Sequence, residues 1–200
     1  MVHDRGRAAV TSRRPRRRVT LHHRQLLAAA GVVERWAGVR IEVTGAAEPP
    51  VRGKRHGILR QCEAQLVTAA GPDLVPLRSA SVARPGAGPD GYLTVDLAVC
   101  PAGFLESDEA LLHPRAVELA VAVMPDGGRR LLETYAAVRI RLVLLVDPRR
   151  GRWSLNGDPR DGRYGEVRHG GYGETVPLPV PFGCRIDTAR FPRYAARAAQ

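Results

Sequence analysis

Tyr92-Leu93-Thr94-Val95-Asp96-Leu97-Ala98-Val99 and Ala116-Val117-Glu118-Leu119-Ala120-Val121-Ala122-Val123 are the two runs on which the fold of this sequence turns. Each has strand length, is rich in apolar and β-branched residues, and reads as a buried strand. Each also carries one carboxylate where a core strand should carry none, Asp96 in the first and Glu118 in the second. A buried acid must be paired or hydrogen-bonded. It is therefore either a satisfied core group or part of a site. The second run passes through Met124-Pro125-Asp126-Gly127-Gly128 into a short helical pattern, Arg129 to Val138, and then into an apolar strand, Ile140 to Val146. Strand, right-handed crossover helix and second, parallel strand is the unit this order predicts.

Upstream, Ile58, Leu59, Cys62, Leu66 and Val67 share one face of a helix over Lys54 to Ala70, with Gly71-Pro72 ending it. Its other face carries Arg55, Arg60, Gln61 and Glu63. Earlier still, Thr20 caps a short amphipathic helix through Trp36, and Val39-Arg40-Ile41-Glu42-Val43 alternates as a strand. Residues 1–18 hold seven arginines and little apolar surface, so they read as a disordered basic arm. Downstream, short strands around Trp153, Tyr164 to Arg168, Thr175 to Leu178 and Cys184 to Ile186 are separated by Asn156-Gly157, Asp161-Gly162 and Gly170-Gly171, all read as turns. Trp153, Tyr164 and Tyr172 are assigned to the core of this small sheet. The sum is a mixed α/β sheet with flanking helices and a C-terminal antiparallel β-meander. One domain spans 19–193, and a flexible tail spans 194–200.

A chain of 200 residues can bury one core without staples. The three dispersed cysteines, Cys62, Cys100 and Cys184, have neither disulfide nor zinc-finger spacing, which predicts a cytoplasmic protein. No apolar run approaches the roughly 20 residues of a membrane helix. The formal net charge of +11 favours polyanions. Arginine so far outnumbers lysine (Lys54 alone) that a G+C-rich coding bias accounts for much of it, and the charge weighs little by itself.

Tyr135-Ala136-Ala137, Leu142-Val143-Leu144-Leu145-Val146-Asp147-Pro148, Gly162-Arg163-Tyr164 and Val176-Pro177-Leu178-Pro179-Val180-Pro181-Phe182-Gly183-Cys184-Arg185-Ile186-Asp187-Thr188 with Phe191-Pro192 resemble, in order and spacing, the Uma-two family. That family groups restriction endonucleases of the PD-(D/E)XK nuclease superfamily. Upstream, Val39 to Val43 resembles its first strand, His56-Gly57-Ile58 the start of its long helix, and Gly91 to Pro101 its first active-site strand. The resemblance runs from about Trp36 to Pro192 and implies a restriction-endonuclease-like fold and metal-dependent DNA cleavage, with Mg2+ as cofactor. DNA and a second copy of the chain are the candidate partners.

Phosphodiester hydrolysis by such a site needs oxygen ligands that converge on a divalent ion, and a cation beside the attacking water. By resemblance Asp96 and Glu42 are the candidate catalytic residues and metal ligands. The glutamate expected late in the second strand is replaced by Ala122, followed by Val123, and the expected helix lysine by Leu131. Arg129 and Arg130 lie beside that position, but arginine does not accept a proton at physiological pH. Together with Lys54 and Arg55 they are the candidate contacts to nucleic acid. Glu118 lies four residues, about 13 Å, along the strand from Ala122 and cannot take its place. The resemblance thus implies a nuclease with half of its catalytic set missing, weakly active or inactive, with the alternative of a non-catalytic relative that keeps the fold and binds nucleic acid or protein.

Overall fold

The computed structural model describes residues 53–86, 91–124 and 128–195. The arm, the Thr20 helix and the strand with Glu42 lie outside the described residues. Helix α1, Gly53–Ala69, buries Ile58, Leu59, Cys62 and Leu66 as one stripe. Val67, which the sequence pattern places on that stripe, is 60% exposed, because it lies a further 100° or so round the helix from Leu66. Gly71, at φ +68°, follows the helix in the left-handed conformation that ends many helices.

Among the described residues six strands make one sheet in chain order: β1 Leu74–Ala83, β2 Tyr92–Pro101, β3 Leu119–Val123, β4 Leu142–Asp147, β5 Arg152–Arg160 and β6 Arg163–Gly171. Only β3 and β4 run parallel, joined through α2, Arg129–Ala137, as the sequence predicts. The other neighbours are antiparallel. Gly128 opens α2 at φ +43°, and a Cβ there would come within 2.9 Å of Leu145 Cδ1. Side chains alternate across β3 and β4, with Leu119, Val121, Val123, Leu142, Leu144 and Val146 packing with α1 on one face. Ala120, Val143 and Tyr135 pack on the other, with α2.

Two features depart from the sequence reading. Strand β1 was not read as an element, since Pro76, Arg78 and Ser79 break its apolar pattern. An edge strand tolerates such residues because one row of its backbone groups needs no ladder partner. Asn156-Gly157 and Gly170-Gly171 lie inside β5 and β6 rather than in turns. Asn156 is buried and donates to Val143 O and Ser154 Oγ, and Gly170 lies under the Trp153 ring. The tight turn is Asp161-Gly162, with both residues at positive φ, the pattern of a two-residue hairpin. The meander therefore extends the main sheet, and a separate two-stranded sheet follows it, β7 Val176–Pro177 with β8 Arg185–Ile186. Trp153 is buried, Tyr164 donates to Ile140 O, and Tyr172 meets Phe191 edge-on at 5.5 Å.

Cys62 and Cys100 are fully buried, whereas Cys184 is partly open. Burial pushes the Cys62 thiol up from 9.0 to about 12, the nearby Arg78 charge opposing only in part. Tyr135, Tyr164 and Tyr172 are also raised, burial being the main cause in each. In native protein a thiol reagent is expected to modify Cys184 first, with Cys62 reacting only on unfolding; rapid native labelling of Cys62 would contradict this packing. Linkage has a definite sign here. A thiol that ionises near pH 9 when unfolded, but not when folded, draws the equilibrium toward the unfolded chain as pH rises from about 9 to 12.

Candidate functional site

Asp96 sits in β2, opposite two irregular neighbours. On one side, the β1 register passes from Arg78↔Leu97 to Ala80↔Val95, so Ser79 lies across from Asp96 without a ladder pair. Ser79 has φ +51°, a conformation that costs a non-glycine residue about 1–2 kcal/mol. On the other side, β2 and β3 pair only from Leu97↔Val121 to Val99↔Leu119. One further step of that register would set Asp96 against Ala122. The kink also shifts the facing of β2: Val95 and Leu97, two residues apart, belong to opposite cores.

Where the ladder stops, the Asp96 carboxylate takes over. Its Oδ2 accepts from Val123 N–H at 3.0 Å, standing in for the missing backbone acceptor. Its Oδ1 is bound by the Arg55 guanidinium, which reaches in from the first turns of α1. The two side chains keep 16% and 23% of their exposure, so the pair is sheltered but not sealed. Tyr135 lies nearby, its hydroxyl 3.5 Å from Thr94 O. Burial chiefly raises its pKa, the Asp96 charge adds to the rise and Arg55 opposes it.

The other sequence-derived candidates separate. Ala116 to Glu118, read as the start of the second strand, precede β3: Pro114–Ala116 is a short 3-10 turn, and Glu118, in the bend before Leu119, binds Arg141 at 3.0 Å. Lys54 Nζ donates to Arg193 O at 2.7 Å. Arg129 forms an exposed pair with Glu133 along α2, and Arg130 is exposed beside it. Ala122 is 1% exposed. Leu131 packs into the apolar layer under α2. Glu42 lies outside the described residues. Among the described residues no group of three His, Cys, Asp or Glu side chains is placed to hold a metal ion. Among the described residues the donors around Asp96 do not fit a divalent ion: one carboxylate oxygen meets a guanidinium, the other a backbone N–H, and no second and third metal-ligating side chain stand with it. The role of Arg55 was missed because a salt bridge across 41 residues leaves no local signal.

The fold has a counterpart among solved structures. The chain is similar to a crystallised "putative nuclease belonging to DUF820" from Anabaena variabilis ATCC 29413, with a TM-score of 0.55 and 15% sequence identity over 72% of this chain and 82% of that one. The fold is nuclease-like. At that identity the likeness concerns the fold alone. No family model and no curated protein matches the chain. No described helix is long and apolar enough to cross a membrane.

Proposed function

We propose that this chain is a Uma-two relative of the PD-(D/E)XK nucleases whose catalytic set has eroded, leaving a nuclease-like fold with little or no capacity to cut DNA. The observation that carries this reading is the state of Asp96. Both its oxygens are engaged, one of them by the Arg55 cation, and the next two positions of a metal-dependent set are the apolar Ala122 and Leu131. In an active relative, Asp96 and Glu42 would hold Mg2+, which neutralises phosphate charge and activates water. Here a fixed cation already neutralises Asp96. Loss of one carboxylate and of the lysine removes both ligand capacity and transition-state stabilisation.

Strained residues cluster at functional sites, so the left-handed Ser79 across from Asp96 supports descent from an active ancestor. The test is nicking of supercoiled plasmid in Mg2+ or Mn2+, with the Asp96→Ala protein as the control; the two proteins are expected to be indistinguishable.

The remaining role in this reading is binding. Arg129 and Arg130 project at the start of α2, and Arg129 keeps 83% of its side-chain exposure. Any association with DNA through these residues should be weak and fall steeply as salt rises, because it rests on counterion release. Titration of a fluorescent duplex at increasing salt checks this. Affinity that is unchanged in high salt would contradict it.

A further inference from the structure

The outer row of backbone groups on β6 pairs with no strand among the described residues, since β6 ends the sheet order. Edge strands of monomers are commonly short, twisted away, or guarded by proline or by charged side chains. Strand β6 runs for nine residues without proline, its central charges are of opposite sign, and it carries Val167, 44% exposed, at its middle. Glu166 and Arg168 flank Val167, and both are exposed with no ion pair among the described residues. They face the α1 side of the sheet with Leu155, while Val167 faces the α2 side with Asn156.

We propose that β6 is a self-pairing edge through which two copies of this chain join their sheets antiparallel about a two-fold axis at Val167. A two-fold perpendicular to a sheet pairs residue i with a residue of equal parity, because paired side chains must leave on the same face. Few registers are therefore available. Centred on Val167, the axis sets Glu166 against Arg168 twice, places Val167 against its own copy, and puts Gly165 opposite His169. Centred on Glu166 or Arg168, it sets like charges against each other at the axis. The charge order thus favours one register and disfavours its neighbours. On the α2 side, Val167 borders an open hollow of about 240 Å³ lined in part by Leu132 and Tyr164, which gives an arriving side chain room. The occupant is a second copy rather than an unrelated strand because the complementary sequence is that of β6 itself, the self-matching patch that a two-fold interface requires.

The test is sedimentation velocity of the full chain over a concentration series, with Glu166→Arg, Arg168→Glu and the double exchange. Wild-type protein is expected to dimerise, and each single reversal should weaken the dimer about tenfold or more by turning two attractive pairs repulsive. The double exchange should restore dimerisation, with circular dichroism unchanged throughout. A wild-type chain that stays monomeric, a dimer indifferent to the substitutions, or single defects that the double exchange does not repair would each overturn the proposal. None of these outcomes depends on whether the chain cuts DNA.

Discussion

Replacing Arg55 by alanine is expected to cost about 2 kcal/mol of stability, below the roughly 3–5 kcal/mol of a fully sealed ion pair because both partners keep some exposure. The loss arises from Asp96. Without the guanidinium its Oδ1 is left without its charged partner in a sheltered kink, while Oδ2 keeps only the Val123 N–H. Asp96→Ala should cost a similar amount for a different reason, since it removes the acceptor of a backbone N–H at the point where the β2/β3 ladder ends. The two losses should not add. A double-mutant cycle measured by denaturant unfolding is expected to return a coupling of about 1–2 kcal/mol. A coupling near zero would mean that Arg55 does not hold Asp96 in solution.

Gly170→Ala is expected to destabilise by about 3 kcal/mol, at the upper end of overpacking effects. An added Cβ would lie 2.3 Å from Trp153 Cζ2 and 2.5 Å from Cε2, and a ring has no flexible end that can yield. Trp153 would have to leave a position where it is 5% exposed and where its Nε1 donates to Gly171 O at 3.1 Å. Gly162→Ala is a useful contrast, since nothing lies within 4 Å of its Cβ and its cost comes from φ +72° alone. The two unfolding curves separate steric from conformational loss. Equal costs would show that Trp153 moves aside easily.

These two residues also mark where the sequence could be read and where it could not. The central β-α-β unit was legible because Leu119–Val123 and Leu142–Asp147 are continuous apolar runs with a helical pattern between them, a local property of the chain. Gly170-Gly171 and Asn156-Gly157 looked like turns for an equally local reason. Their actual roles are set by contacts with Trp153 and Val143 across strands, which no short window contains. Strand β1 was hidden by Pro76 and a left-handed Ser79, residues that break the alternating apolar pattern of a strand. Within the site, Asp96 stood out as the single acid of an apolar strand. Arg55 stood out only as a candidate contact to nucleic acid, and only the folded chain brings its guanidinium to Asp96. Ala122 was legible solely through resemblance, since an alanine in a buried strand is otherwise unremarkable.

Metal-dependent nicking of supercoiled plasmid bears most directly on the reading of Asp96 as a neutralised remnant. Purified protein in Mg2+ or Mn2+ is expected to leave the plasmid as intact as the Asp96→Ala protein does. Nicking that requires the metal and disappears with Asp96→Ala would contradict that reading and identify Asp96 as a working ligand.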